Sequence, residues 1–366
     1  MLRILFLTEY LRGGGAEKVL CDLVRQMDRD LFDITVQSIW QDDPSGIFPA
    51  HVHVRFCYPN TKTARLRFRM EAELGLTYRR HIKDSYDIEI AFLEYAPTKL
   101  LAASTSKTAK KIAWVHCDLQ RATKNPADFP KMESWYRSFD QVVCVSRSVQ
   151  KAFQGVFDNR INSAVLYNPV DKSAVLQKAQ TEAAIRKPDS PLVCTVGRLD
   201  VPKNQLRLLR AHKQLLEEGL QHSLWIIGDG PDRAKLEAFI DQYSLHNSVR
   251  LLGFQENPYQ FMKNADLLAC SSDYEGLSTF VIEGLLLGKP IVTTDCGGMD
   301  ELLGNSEFGV ITKANDRAFT DGLRMLLQDK EKRSRYADQA RQWSSNYSAD
   351  SAEKRIEQFL LSMVED

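Results

Sequence analysis

No apolar run in this 366-residue chain approaches the ~20 residues that a membrane-crossing helix needs. The sequence therefore predicts no transmembrane span. Its first eight residues are too few for a secretory leader and lack a small-residue cleavage site, so they read as a first buried strand. Cys-x-x-Cys is missing. The seven cysteines are odd in number and dispersed, several within apolar runs such as Val142-Val143-Cys144-Val145. That pattern excludes a disulfide scaffold and points to buried thiols in a reducing cytoplasm. Net charge is missing too. The 48 Lys and Arg balance 48 Asp and Glu, which argues against a protein that coats nucleic acid. His-Glu-x-x-His and Gly-x-Ser-x-Gly do not occur. The one Asp-x-Asp, Asp28-Arg29-Asp30, falls between a helix and a strand and reads as surface. No metal site and no cofactor are expected.

What is present is alternation. Short apolar runs predict strands at 2–8, 32–39, 52–57, 87–93, 110–115, 141–145 and 163–167. A second set follows at 191–197, 222–228, 249–252, 266–271, 290–294 and 308–312. Amphipathic stretches at 15–28, 64–82, 148–157, 203–219, 231–243, 278–287 and 315–327 predict helices between them. Strands alternating with helices imply an α/β fold with parallel sheets covered by helices. The chain is long enough for two domains at about 150 residues each. The break falls near Tyr167-Asn168-Pro169-Val170-Asp171, where a polar, alanine-rich stretch precedes a new strand. Two doubly wound, Rossmann-like domains facing across a cleft are expected, 1–168 and 169–347, with a helical tail at 348–366. The charge divides along the same line. Residues 1–168 carry 24 basic against 19 acidic side chains, and 169–366 carry 24 against 29.

In such sheets ligands bind beyond the carboxyl ends of the strands, so polar motifs at those positions matter most. After the first strand comes Arg12-Gly13-Gly14-Gly15-Ala16-Glu17-Lys18. Its glycines allow close approach of backbone to a phosphate at a helix start, although a tight βα turn explains them equally well. His116 ends the strand Ile112-Ala113-Trp114-Val115 and is followed by Asp118 and a polar loop. It can hydrogen-bond a sugar hydroxyl or shuttle a proton. In Val196-Gly197-Arg198-Leu199-Asp200-Val201-Pro202-Lys203, two cations stand at a strand end, an arrangement that suits a leaving diphosphate. Gly228-Asp229-Gly230-Pro231 reads as an architectural turn with the proline in the first helical turn. Last comes Glu275-Gly276-Leu277-Ser278, with Glu283 eight residues beyond Glu275 in an apolar helix face. If much of that span were helical, the two carboxylates would lie about 10–12 Å apart, roughly the reach from a sugar hydroxyl to the ribose of a nucleotide sugar.

Taken in order, these motifs resemble those of the retaining glycosyltransferases of family 4, which have the GT-B fold. The resemblance covers nearly the whole chain. It runs from Gly13-Gly14-Gly15-Ala16-Glu17 through Trp114-Val115-His116, Val145-Ser146-Arg147-Ser148 and Tyr167-Asn168-Pro169-Val170-Asp171. It continues through Arg198 with Lys203, Gly228-Asp229-Gly230-Pro231 and Leu252-Gly253-Phe254 to Glu275-x7-Glu283. It implies that Arg198 and Lys203 hold the donor diphosphate and Glu283 the ribose hydroxyls. Glu275 would take sugar hydroxyls, with the backbone of Gly276, Leu277 and Ser278 close by. The backbone of Leu252, Gly253 and Phe254 would flank the base. Gly14 and Gly15 would close over the donor from the other half, and His116 would touch the sugar or assist transfer. It further implies a metal-independent, retaining hexosyltransferase of capsule, exopolysaccharide or lipopolysaccharide synthesis. The donor would be a UDP-sugar first and GDP-mannose second. The acceptor would be a glycan or lipid-linked glycan received by loops 40–60 and 117–131, with Glu17 and Asp118 on that side. The terminal helix would pack back on the first half.

Two other readings compete. A non-hydrolysing UDP-sugar epimerase would convert donor without acceptor, and a catalytically silent subunit would bind donor without transfer. Membrane contact is a separate expectation. Segment 61–83 interleaves Lys62, Arg65, Arg67, Arg69, Arg79, Arg80 and Lys83 with Leu66, Phe68, Met70, Leu74, Leu76 and Tyr78. It reads as one basic amphipathic helix for an anionic membrane surface, or as a solvated helix on its own sheet.

Overall fold

The structure, a computed structural model, describes residues 1–11, 14–42, 48–347 and 349–365. Gly13 and the middle of the expected acceptor loop 40–60 lie outside the described residues. The chain forms two compact units. Met1–Pro169 joins Asp350–Asp366 in unit 1, and Val170–Ala349 is unit 2.

Unit 1 is built on β1 (Leu2–Thr8), β2 (Phe32–Trp40), β3 (His53–Tyr58), β4 (Ile88–Ala91), β5 (Lys110–Val115), β6 (Gln141–Cys144) and β7 (Ser163–Val165). They make one sheet in the order β3-β2-β1-β4-β5-β6-β7, every pair parallel. Ile4, Leu5, Phe6 and Leu7 are all fully buried, because helices cover both faces and leave no side for polar alternation. Unit 2 repeats the plan with β8 (Leu192–Val196), β9 (Ser223–Ile227), β10 (Val249–Leu251), β11 (Leu267–Cys270), β12 (Ile291–Thr294) and β13 (Val310–Thr312). Their order is β10-β9-β8-β11-β12-β13, again all parallel. All thirteen expected strands are present, with ends within two residues of the expected ones. Both orders reverse direction once, at β1/β4 and at β8/β11. Loops leaving those strand ends diverge and open a crevice, the standard ligand position in this architecture.

One expected helix is two. The stretch 64–82 divides into Lys62–Glu73 and Thr77–His81. Gly75 adopts φ +66°, and the Leu76 amide bonds back to the Glu71 carbonyl at 2.8 Å, closing the first helix with a left-handed cap. The charged tail is also two helices, Lys330–Asn346 and Ala349–Ser362. The second belongs to unit 1, where Glu357 accepts the Asp28 amide at 2.7 Å. Among the described residues no helix is long and apolar enough to cross a membrane. All seven cysteines are free thiols, six of them buried.

Unit 2 also buries two histidines in contact. His212 Nδ1 meets His222 Nε2 at 2.8 Å, His212 Nε2 meets Ser248 Oγ at 2.9 Å, and the Leu220 carbonyl lies 2.8 Å from His222 Nδ1. Burial pushes the His212 pKa down to about 3, and that of His222 down as well. Both rings are therefore neutral in the folded chain. The stability that this provides is complete above the unfolded value near 6.5 and is lost as pH falls from there towards 3. His212 alone should cost unit 2 roughly 2 kcal/mol at pH 5 relative to pH 7.5. Thermal unfolding across that range should show the loss, and His212→Gln should flatten it. An unchanged acid limb in that variant would refute the assignment.

Candidate functional site

The reversal point of unit 2 gathers the polar motifs. β8 delivers Gly197 and Arg198 to its carboxyl end, and a single 3-10 turn, Val201–Lys203, follows. Asn204 then adopts φ +43° and its side chain accepts the Arg207 amide at 3.2 Å, starting helix Gln205–Glu217. From the neighbouring β11 comes the loop carrying Ser271, Ser272, Asp273 and Glu275. The two loops meet at an ion pair. Lys203 Nζ lies 2.6 Å from both Glu275 carboxylate oxygens, and Ser272 Oγ donates to Glu275 Oε1 at 2.6 Å. Burial works against the Lys203 charge, but the Glu275 carboxylate outweighs it and raises the ammonium pKa above its usual value. Thr195, Lys203, Gln205, Cys270, Ser272, Glu275 and Ser278 border a void of about 20 Å³, room for about one water. Arg198 is exposed beside this pair, 3.4 Å from Asp200. Two cations and a buried carboxylate thus stand where a sheet of this kind takes its ligand.

Glu275 and Glu283 do not share a helix. The helix runs only over Thr279–Leu286, with Ser278 as its N-cap, so the expected helical spacing applies to half of the interval. Glu283 is buried and accepts a hydrogen bond from Tyr259 Oη at 3.1 Å. Gly276 and Leu277 lie in the loop between the two glutamates.

The turn after β9 is architectural. A Cβ at Gly228, φ +136°, would come within 2.0 Å of the Gly197 carbonyl oxygen. Pro231 falls in the turn and not in the helix, which begins at Arg233. After β10, on the far side of β9 from β8, the Leu252 amide bonds to Ile226 and the Gly253 carbonyl accepts the Gly228 amide. Those groups are committed to the fold. The Phe254 side chain, by contrast, is 72% exposed.

Unit 1 holds the remaining candidates. Gly14 is the N-cap of helix Gly15–Gln26, and Glu17 lies in its first turn. A Cβ at Gly15 would meet nothing within 4 Å, so packing within the unit does not demand glycine there. His116 stands at the end of β5, its ring 4.7 Å from Phe92 and 6.4 Å from Trp114 by centroids. Its Nε2 is sealed from solvent with no hydrogen-bond partner, and burial pushes its pKa down to about 3. The imidazole is therefore neutral at physiological pH. It can exchange a hydrogen bond with a hydroxyl, and a standing positive charge is excluded. Asp118 caps the short helix Leu119–Ala122 by accepting the Arg121 amide at 3.2 Å.

The arginines divide. Arg65 donates to Tyr10 Oη at 2.8 Å and stacks over Trp40. Arg67 donates to Glu71 at 2.6 Å. Burial alone would raise the Glu71 pKa, but bonds from Arg67, Tyr58 and Arg80 pull it down to about 2. Arg69 is exposed. Leu66, Met70 and Leu74, spaced by four, are exposed in a row along Lys62–Glu73 and its cap.

Three positions packed against the candidate residues escaped the sequence reading. Glu94 is a buried carboxylate at the end of β4 that accepts the amides of His116 and Cys117, the latter at 2.9 Å. Gly297 abuts the Glu275 backbone, where a Cβ would come within 2.4 Å of the carbonyl oxygen. Arg207 binds the 271–275 loop from beneath. A Gly-Gly pair after β12 was a usable signal for the second. The other two had none. Among the described residues no group of three His, Cys, Asp or Glu is placed to hold a metal ion.

Comparison with known proteins places both units. The family model described as Glycosyltransferase Family 4 matches residues 13–174, and that for Glycosyl transferases group 1 matches 177–343. The chain is 27% identical to an enzyme of Campylobacter jejuni, over 90% of this chain and 92% of that one. That enzyme is N-acetylgalactosamine-N,N'-diacetylbacillosaminyl-diphospho-undecaprenol 4-alpha-N-acetylgalactosaminyltransferase. This chain is also 24% identical to the amylovoran biosynthesis glycosyltransferase AmsD of Erwinia amylovora, over 95% of this chain and 96% of that one. The crystal structure of Anabaena HepE in complex with UDP-glucose superimposes with a TM-score of 0.79 at 21% identity, over 99% of this chain and 100% of that one.

Proposed function

The chain belongs to the family-4 glycosyltransferases of the GT-B fold, and from that premise we propose that it is a retaining hexosyltransferase using a nucleotide sugar. The donor is a UDP-sugar in preference to GDP-mannose. The acceptor is a glycan or lipid-linked glycan of cell-surface polysaccharide synthesis, on the cytoplasmic side of the membrane. The observation that carries this reading is the Lys203–Glu275 pair beside Arg198 at the reversal point of unit 2. A buried carboxylate paired with a half-buried ammonium, with an exposed guanidinium in the same loop, suits a ligand that is anionic at one end and hydroxylated at the other. Arg198 and Lys203 receive the diphosphate, Glu275 the sugar hydroxyls and Glu283 the ribose. The exposed Phe254 ring and its neighbouring backbone flank the base. His116 supplies a neutral hydrogen-bonding partner to a sugar hydroxyl. Gly14 and Gly15 keep the start of helix Gly15–Gln26 free of their own side chains, with the Glu17 carboxylate lying over Gly14, and contact the donor there. Glu17 and Asp118 lie on the acceptor side.

Transfer proceeds on one face of the sugar. The acceptor oxygen bonds to the anomeric carbon as the bond from that carbon to the phosphate oxygen breaks, its electron pair leaving with the diphosphate. The acceptor proton passes to a phosphate oxygen. Arg198 and Lys203 stabilise the charge that develops, so no metal is required. Calorimetry with UDP-glucose, UDP-N-acetylgalactosamine and GDP-mannose should find one donor that binds with micromolar affinity. Binding by none of them would refute the reading. Conversion of the donor without an acceptor would favour the epimerase.

The row Leu66, Met70 and Leu74, flanked by Lys62 and Arg69, supports peripheral docking on an anionic membrane. Co-sedimentation with vesicles rich in anionic lipid should fall several-fold in Leu66→Ser/Met70→Ser, and no binding by the wild type at low salt would remove the idea.

A further inference from the structure

We propose that Arg207, acting through Asp273, is a positioning residue that sets the spacing between Lys203 and Glu275. The proposal rests on the donor reading above and adds what holds that site to size. The ladder between β8 and β11 covers only Val193 with Leu267 and Cys194 with Leu268. Beyond it, the loops that carry Lys203 and Glu275 leave the sheet, and side chains tie them. The Asp273 carboxylate is divided between two partners. Its Oδ2 accepts from Asn204 Nδ2 at 3.0 Å, next to Lys203, and its Oδ1 accepts from Arg207 Nη2 at 2.8 Å. The same guanidinium donates through Nη1 to the Ser271 carbonyl at 2.9 Å. It is braced from behind by the Ala314 carbonyl and Asp316 Oδ1, each at 3.3 Å. Two shorter ties close the seam. Ser271 Oγ donates to the Lys203 carbonyl at 2.9 Å, and the Asp273 amide donates to the Pro202 carbonyl at 2.7 Å.

Stability does not explain this arginine. Its side chain is 7% exposed, but its carboxylate partners Asp273 and Asp316 are 40% and 48% exposed, and ion pairs open to solvent contribute little. A planar fork, however, fixes directions that an ammonium on a flexible stem cannot. Here the fork points at one backbone carbonyl and one carboxylate of the same loop. That loop reaches Lys203 through a contact of 2.6 Å, where a shift of about half an ångström matters.

The test measures coupling between Lys203 and Glu275 by urea unfolding of Lys203→Met, Glu275→Gln and the double variant. It is repeated in the Asp273→Ala and Arg207→Lys backgrounds. Asp273 is partly exposed, so its variant is expected to fold even if the arginine variant does not. The coupling should fall by at least half in Asp273→Ala. A second arm compares UDP with UDP-glucose, because only the sugar nucleotide spans both loops. In Asp273→Ala, Kd for UDP-glucose should rise about tenfold while that for UDP changes less than about threefold. Arg207→Lys should behave as Asp273→Ala does, because charge without the fork is not enough. Coupling that is absent in the wild type, or unchanged in Asp273→Ala, overturns the proposal. A wild type that binds neither nucleotide counts against the donor reading, and the coupling still decides the role of Arg207.

Discussion

Lys203→Ala should lower kcat/KM for glycosyl transfer by about three orders of magnitude, the scale seen when a charge-stabilising group is removed from a reacting centre. The same substitution should weaken the fold. Lys203 Nζ is 2.6 Å from both oxygens of a carboxylate whose side chain is 9% exposed. Removing the cation leaves that carboxylate buried with Ser272 as its remaining short contact, at a cost of about 3 kcal/mol. The two effects separate in the double variant Lys203→Met/Glu275→Gln. It has no uncompensated charge, so it should recover most of the stability and none of the activity. Steady-state kinetics and urea unfolding of the single and double variants provide the measurement. Transfer near the wild-type rate in Lys203→Ala would show that the pair is structural and would sink the assignment of unit 2 as the donor side.

The pair was legible because its members announce themselves locally. Lys203 and Glu275 each follow the carboxyl end of a strand, where a sheet of this kind takes its ligand. Strands were legible for the same kind of reason. Central parallel strands such as Leu267–Cys270 are apolar and buried throughout and stand out from their surroundings, while the edge strands His53–Tyr58, Ser163–Val165 and Val249–Leu251 are only partly buried. Contacts across elements leave no such mark. Arg207 reads as one more basic residue on an amphipathic helix, yet it binds a loop 64 to 66 residues away in sequence. His212 and His222 look like ordinary surface histidines until helix Gln205–Glu217 brings their rings to 2.8 Å.

The basic segment shows the same limit in another form. Composition counted seven cations as one face. The cap at Gly75 divides the helix, and a single buried glutamate, Glu71, takes up Arg67 and Arg80. What remains outward is less basic than the count suggests: Lys62, Arg65, Arg69, Arg79 and Lys83 are exposed near a row of three apolar side chains, while Arg67 and Arg80 share their charge with Glu71. The local asymmetry of charge between halves therefore overstates how much positive charge is offered to a surface. Part of it is spent inside unit 1.

Gly297→Ala should lower activity about a hundredfold, although it changes no charge. A methyl group there would stand 2.4 Å from the Glu275 carbonyl oxygen, and backbone on both sides has little room to give. The loop after β12 is itself fastened. The Asp295 amide donates to Thr312 at 2.6 Å, and the Thr294 hydroxyl donates to the Ser272 carbonyl. Relief must therefore come mainly from the 271–276 loop, moving Glu275 by about 1 Å, a displacement that commonly reduces a rate about a hundredfold. Overpacking should also lower stability by about 1–3 kcal/mol. Gly155→Ala is the control. Gly155 lies within helix Arg147–Phe157 with nothing within 4 Å of its Cβ, so that change should raise stability by up to about 1 kcal/mol and leave kcat/KM alone. Equal behaviour of the two variants would mean that the Glu275 loop yields freely, and that its position is set by the ligand and not by the fold.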